Sequence, residues 1–209
     1  MQIAIIGSGQ VGSTLGGRWA GMGQQVIYGT RDTNSDKIKS LLKSQNGTQA
    51  KSVKDAAAMA GVIVLATPWT ATEKTVGGMG DLKGKILLDC TNPLKPDLSG
   101  LSLGLTTSAG EKVAEWAKGA QVVKAFNNTG WKNMADPHYG SEKMSMFICG
   151  DDPAAKKMAA GLISDLDFDV VDCGGIEASR YLEPLAMLWI HLAVTLGMGS
   201  DIAFRLLRR

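Results

Sequence analysis

The chain has 209 residues, 44% of them hydrophobic and 20% charged, the composition of a globular protein of one domain, or one domain with a small appendage. Twenty-two Lys and Arg against twenty Asp and Glu leave a formal charge of +2, and no basic run is long enough to follow a phosphate backbone, so nucleic acid is not an expected partner. The 26 glycines exceed the usual share of about 7% and point to tight turns and close backbone approaches.

Residues 3–6 are a short apolar run closed by Gly7, as in a strand covered on both faces, and lack the basic segment and length of a signal peptide. After Gly7-Ser8-Gly9-Gln10-Val11-Gly12, a helical stripe of Val11, Leu15, Trp19 and Met22 ends at Gly21 and Gly23. A second strand occupies residues 25–28. Asn34 or Ser35 then caps a helix with Ile38, Leu41 and Leu42 facing inward, ended by Asn46-Gly47. A short helical segment at residues 53–60 precedes Val62-Ile63-Val64-Leu65-Ala66, a buried parallel strand in composition. Further strands are expected at residues 86–90, 122–126, 144–149 and 170–172. Between the last two lies a helix capped by Asp152, with Pro153 in its first turn and Met158, Leu162 and Leu166 on one face.

Strands alternating with helices define an α/β protein with a parallel sheet. Residues 92–110 and 127–142, rich in Gly, Pro, Asn and Ser, read as long loops after strand carboxyl ends, where open α/β sheets bind ligands. From Glu177 onward a helical appendage is interrupted or kinked by Pro184. Residues 185–198 fall short of the roughly 20 needed to span a bilayer and read as a buried helix. Their apolar face is also long enough for a subunit interface.

The GxGxxG run sits between a buried strand and an amphipathic helix. In that setting Gly7 allows the tight turn, Gly9 lets the backbone approach a pyrophosphate, and Gly12 lets helix and strand pack closely. The helix amino terminus supplies free N–H groups for phosphates. Roughly 20 residues on, where NAD-specific proteins place an acid on the ribose, stand Thr30 and Arg31. A hydroxyl and a guanidinium suit a phosphorylated ribose, which favours NADP. A register shift would instead give Asp32 the acidic role and leave Arg31 as a surface charge.

No acid–base pair stands out. Tyr139 and Lys143 have the Tyr-x-x-x-Lys spacing of short-chain dehydrogenases, but in a loop rather than on a helix. Lys124 and Asn128 copy the spacing of hydroxyacid dehydrogenases across a strand end. His138 reads as a solvated loop residue and His191 as a core or interface histidine. Cys90, Cys149 and Cys173 have neither disulfide nor zinc spacing; they read as buried small hydrophobes in a reduced, cytoplasmic setting. Trp69 either shapes or pads the cleft. No catalytic side chain and no metal ligand are assigned, as suits hydride transfer between two flat rings held face to face.

Gly7-Ser8-Gly9-Gln10-Val11-Gly12, Gly29-Thr30-Arg31, Ala66-Thr67-Pro68-Trp69, Asn92-Pro93-Leu94 and Lys124-Ala125-Phe126-Asn127 resemble the NADPH-dependent reductases of the deazaflavin coenzyme F420. Cys149-Gly150-Asp151-Asp152, Asp172-Cys173-Gly174-Gly175 and Gly197-Met198-Gly199 extend the resemblance over essentially the whole chain. It is also similar to the cytosolic domain of six-transmembrane metalloreductases. The resemblance implies a Rossmann-type, doubly wound, mostly parallel sheet over residues 1–175 with a non-independent helical appendage at 176–209, assembled as a homodimer or larger oligomer. It implies NADPH on Ser8, Gly9, Gln10 and Val11, its phosphate on Thr30 and Arg31, and its nicotinamide near Thr67, Pro68 and Ala125, with Trp69, Asn92 and Pro93 beside them. The deazaflavin pocket maps onto Asn127, Asn128, Thr129 and Gly130 together with Gly174, Gly175 and Ile176. Thr129-Gly130-Trp131 departs from the apolar-proline pair of archaeal members, so FMN or FAD stands beside F420 as an acceptor. The expected function is therefore hydride transfer between NADP(H) and a small-molecule deazaflavin or flavin. Reduction of a small carbonyl or imine, and dinucleotide sensing without turnover, are the alternatives.

Overall fold

Ile3, Ala4, Ile5 and Ile6 expose at most 1% of their surface, as a strand covered on both faces must. In the computed structural model, which describes residues 1–209, they belong to β1 (Gln2–Ile6), within an eight-stranded sheet. The chain continues through α1 (Gln10–Gly21), β2 (Gln25–Thr30), α2 (Asp36–Ser44) and β3 (Thr48–Ser52), with β2 parallel to β1 and β3 parallel to β2. It then crosses to the other side of β1 with α3 (Val53–Met59) and β4 (Val62–Leu65), and runs on through α4 (Trp69–Gly77), β5 (Ile86–Asp89), α5 (Ala109–Trp116) and β6 (Gln121–Lys124). The resulting order β3-β2-β1-β4-β5-β6 is that of a doubly wound dinucleotide-binding sheet, with its switch point between β1 and β4.

Beyond β6 come α6 (Trp131–Ala135) and a hairpin of β7 (His138–Tyr139) and β8 (Glu142–Lys143). They are followed by β9 (Ser145–Gly150), α7 (Pro153–Ser164) and β10 (Asp169–Asp172). β9 pairs antiparallel to β6, and β10 lies parallel to β9. A parallel neighbour would need a crossover of a dozen or more residues that re-enters the sheet from the same end. The connection here, α6 and the β7–β8 hairpin, instead brings the chain back at the end where β6 leaves the sheet, so β9 runs against β6. A 3-10 turn (Ile176–Ala178), α8 (Ser179–Ile190) and a π-helical turn (His191–Thr195) complete the regular structure. Residues 200–209 carry none, yet they are pinned. The Ile202 carbonyl accepts from Trp189 Nε1 at 2.7 Å and Asn133 Nδ2 at 2.9 Å, and the Phe204 carbonyl accepts from the Ser145 N–H at 3.0 Å.

Two apolar layers sandwich the sheet. One joins Leu15 and Trp19 to Phe126, Leu162 and Phe168; the other joins Ala56, Ala57, Val76, Met79 and Val113. The Phe126 ring lies edge-on to both Trp19 and Phe168, at 5.9 and 5.7 Å between centroids.

Several sequence expectations are corrected. β3, Thr-Gln-Ala-Lys-Ser, is an edge strand with no apolar alternation to announce it, and α4 was not anticipated. The two stretches expected to be loops contain the start of α5, all of α6 and the β7–β8 hairpin. Met22 and Met158 leave their expected stripes, at 47% and 44% exposure, Met22 because it already caps the end of α1. Pro184 sits inside α8 without ending it. Residues 185–198 are not a buried helix: Leu188, Val194, Leu196 and Met198 are 46–60% exposed.

Candidate functional site

The loop leaving β1 is shaped by two glycines that admit no side chain. Gly7 has φ +112°, and a Cβ there would stand 2.3 Å from the Ala66 carbonyl oxygen, where β4 ends. A Cβ on Gly12 would meet the Gly7 carbonyl oxygen at 1.9 Å and Ile5 Cγ2 at 3.0 Å. Gly9 differs, because nothing lies within 4 Å of the Cβ it lacks. Its bareness answers no packing need inside the chain and leaves the backbone open to a ligand. Gly9 also caps α1 with no side-chain hydrogen bond, and no acidic residue stands in the first turn. The free N–H groups and positive end of this twelve-residue helix thus face the loop. Ser8, Gln10 and Val11 line the same turn.

At the end of β2, Asp32 Oδ1 accepts from the Asn34 N–H at 2.8 Å, and Asp32 lies within 3.4 Å of Thr30 Oγ1 through its backbone. The carboxylate is therefore committed to the turn that starts α2. Arg31 is exposed and joins none of the ion pairs. The strand end presents a hydroxyl and a free guanidinium, as a phosphorylated ribose requires.

The loops after β4, β5 and β6 share this carboxyl edge. Thr67 and Thr72 hydroxyls meet at 3.0 Å, and Thr72 also donates to the Pro68 carbonyl. The Trp69 ring stacks on Trp116 of α5, 5.3 Å between centroids, so at least one face of this indole pads two helices. Asn92 Nδ2 donates to the Asn127 carbonyl at 2.9 Å, and Asn127 Nδ2 returns to Asn92 Oδ1 at 3.1 Å. Pro93 follows Asn92, buried. Beyond Ala125, Phe126 takes the left-handed backbone (φ +58°), a conformation that costs a bulky residue about 1–2 kcal/mol; its ring is locked in the core. Asn128 donates to the Ser145 carbonyl, and Thr129 Oγ1 accepts from Asn133. Two buried acceptors here, Asn127 Oδ1 and Asn128 Oδ1, have no partner. Gly130 makes room for Trp189, whose ring would stand 2.7 Å from a Cβ.

Gly174, Gly175 and Ile176 are not brought to this group. The Gly174 carbonyl accepts from Gly150 at one end of β9, whereas Asn128 bonds to Ser145 at the other. The six residues of β9 put roughly 17 Å between these two ends at about 3.3 Å per residue, and Ile176 packs instead beside Cys149 and Gly110.

Sequence spacing missed the most heavily charged cluster in the interior. Lys124 Nζ donates to Asp89 Oδ2 at 2.7 Å and to the Thr91 carbonyl at 2.9 Å, and lies 3.0 Å from Glu183 Oε1. All three charged side chains are at most 1% exposed. Burial alone would lower the lysine pKa, but the two carboxylates outweigh it and hold the proton above the usual lysine range. An ammonium has three donors, and all are committed. Lys124 therefore has no proton to offer a carbonyl substrate, so the hydroxyacid-dehydrogenase spacing is coincidental. The one sequence signal was a lysine inside Val122-Val123-Lys124-Ala125-Phe126, since a charge in a doubly covered strand must find partners.

The other candidates are local. Lys143 pairs with Asp167 at 3.0 Å and His138 with Asp136 at 2.8 Å, both on the surface. His191 is exposed, which removes the core from its two sequence readings, core or interface. No group of three His, Cys, Asp or Glu side chains is placed to hold a metal ion. No helix is long and apolar enough to cross a membrane. Cavities of about 270 Å³ beside β10 and about 370 Å³ between Met1 and α7 are lined by none of these site residues.

A parallel sheet with this switch point, a bare glycine over a helix amino terminus and a free arginine after β2 together define an oxidoreductase of the Rossmann dinucleotide-binding class. The comparisons sharpen that class. Residues 2–93 match the family model described as NADP oxidoreductase, coenzyme F420-dependent. The F420-dependent NADP reductase of Methanothermobacter marburgensis is 31% identical over 213 aligned residues, covering 93% of each chain. The crystal structure of an Arthrobacter sp. FB24 protein assigned as an F420-dependent NADP reductase superposes with TM-score 0.91 at 33% identity over the whole of both chains. Metalloreductase STEAP3 of Rattus norvegicus is 29% identical across 97% of this chain, which spans 40% of its length. The chain belongs to the family of coenzyme F420-dependent NADP oxidoreductases.

Proposed function

We propose that this NADP-dependent oxidoreductase transfers a hydride between NADP(H) and coenzyme F420, with a flavin ring as the other acceptor its edge suits. The bare Gly9 over the α1 terminus, with Arg31 free and Asp32 committed, carries this reading. When bound, the nicotinamide and deazaflavin rings supply the hydride chemistry themselves. The protein's part is to hold them. The N–H groups at the start of α1 and the Gly7–Val11 backbone would bind the pyrophosphate, and Thr30 and Arg31 the ribose phosphate. Thr67, Pro68, Asn92, Pro93 and Ala125 would line the nicotinamide end. The acceptor would lie against Asn127, Asn128, Thr129 and Gly130, whose unpartnered amide oxygens offer acceptors for ring N–H groups. The placement of Gly174, Gly175 and Ile176 at the far end of β9 favours a structural role for them. Saturation of Lys124 leaves no general acid at the edge, which favours ring-to-ring transfer over carbonyl or imine reduction.

Residues 176–209 would work with residues 1–175 as one unit, in the cytoplasm. The exposed apolar side chains Leu188, Val194, Leu196 and Met198 suit a homodimer. The test is titration with NADPH and NADH followed by turnover with F420, FMN and FAD. NADPH should bind tightly and be oxidised with F420. Tight NADPH binding without reduction of any of the three would leave only the dinucleotide site standing.

A further inference from the structure

We infer that α8 is a positioning clamp for the nicotinamide end of the edge, with Lys124 and Glu183 as positioning residues; this rests on the function proposed above. Two consecutive residues of α8 grip the two neighbouring loops. The Leu182 carbonyl accepts from Asn127 Nδ2 at 2.9 Å, and Asn127 is paired in turn with Asn92 of the loop after β5. Next to it, Glu183 meets Lys124 at the end of β6. Lys124 holds Asp89 at the end of β5, and Asp89 Oδ1 accepts both the N–H (2.9 Å) and the hydroxyl (2.7 Å) of Thr91. The network closes on itself: Leu182, Asn127 and Asn92 on one side, Glu183, Lys124, Asp89 and Thr91 on the other. The spacing of the loops after β5 and β6 is therefore set by a helix at the far end of the chain.

Glu183 is also committed beyond the lysine. Its Oε2 accepts from the Ala109 N–H at 3.0 Å and its Oε1 from the Gly110 N–H at 2.9 Å, at the start of α5. One positive and two negative side chains leave a net negative charge in the interior, and the positive end of α5 offsets it. Because both carboxylate oxygens face donors, a glutamine would set its amide hydrogens against an N–H whichever way it turned. None of these residues belongs to the Gly7–Gly12 loop or the end of β2, so the clamp acts on ring placement and not on the adenosine end.

Lys124→Met and Glu183→Gln test the clamp, with Leu82→Ala as a control that opens a hole in the core at the amino end of β5, opposite the edge. NADPH affinity, turnover with F420 and hydrogen exchange are measured well below each melting temperature. In both clamp variants the NADPH Kd should stay within about threefold of the parent while kcat falls at least about tenfold, since a small misplacement of reacting rings is costly. Exchange should quicken at residues 91–94 and 125–129 and not at 7–12, whereas Leu82→Ala should keep its kcat. Turnover within about twofold of the parent, unchanged exchange in those loops, or an equal loss in the control would overturn the clamp. If Lys124→Met does not fold, Glu183→Gln decides alone. A parent enzyme that binds NADPH but never reduces F420 would sink the proposed function, and the exchange measurements would still decide the clamp.

Discussion

A Cβ added to Gly12 would stand 1.9 Å from the carbonyl oxygen of Gly7, so the two glycines hold the start of α1 against the end of β1. Gly9, midway between them, meets no atom of the protein. The same substitution should therefore have opposite effects at the two positions. Gly12→Ala should lower stability by at least about 1–3 kcal/mol through overpacking, read in urea unfolding. Gly9→Ala should keep the parent melting temperature and weaken NADPH at least about tenfold, because the methyl group stands where the pyrophosphate must approach.

Arg31→Ala removes the one cation free at the end of β2. Hydrogen bonds to charged groups contribute about 1.5–3 kcal/mol, so NADPH affinity should fall at least about tenfold while NADH affinity stays unchanged. Fluorescence titration of both coenzymes checks this. Equal losses for the two would place the phosphate elsewhere.

Acid should loosen the junction between α5 and α8. Arg180 donates to both oxygens of Glu111, at 2.9 and 2.6 Å, and Ser108 adds a hydroxyl at 2.7 Å. The Arg180 hydrogen bonds lead in holding the Glu111 carboxyl below its ordinary range, against a desolvation that would raise it. The folded chain then binds fewer protons than the unfolded one, so this contribution is complete above the ordinary glutamate value of about 4.3 and is lost as pH falls through the lower, folded value. Urea midpoints measured from pH 6 down to pH 3 should fall more steeply for the parent than for Glu111→Gln.

Thiol chemistry should be slow. Burial pushes the Cys149 thiol up to about 11 and raises those of Cys90 and Cys173, so none is a thiolate near neutrality. Iodoacetamide at pH 7.5 should label the folded protein sluggishly, and the denatured protein at all three positions, as mass spectrometry would record. Rapid labelling of Cys149 in the folded chain would contradict its burial.

What was legible in the sequence was local. The run 3–6, Gly7-Gly9-Gly12 and Val62-Ile63-Val64-Leu65 carry their environment in their own composition, and Asp152 followed by Pro153 announced a helix whose cap does accept from Ala155 at 2.7 Å. What stayed hidden depends on partners distant along the chain. Lys124 and Asp89 are 35 residues apart, and nothing in either segment names the other. Trp69 could shape or pad the cleft by its sequence alone, because its stacking partner Trp116 lies 47 residues on. β3 forms because β2 offers it hydrogen bonds, which a polar pentapeptide does not reveal. Order along the chain likewise does not say that Gly174 meets β9 at the end opposite Asn128.

The anchoring of residues 200–209 bears on how the protein can be handled. The Ile202 carbonyl is the shared acceptor for the Trp189 indole and the Asn133 amide, so a truncation that removes it takes one hydrogen bond from each, about 0.5–1.5 kcal/mol apiece. Shortening this tail to aid crystallisation would therefore loosen the enzyme, and an affinity tag joined there needs a spacer long enough to leave Ile202 and Phe204 in place.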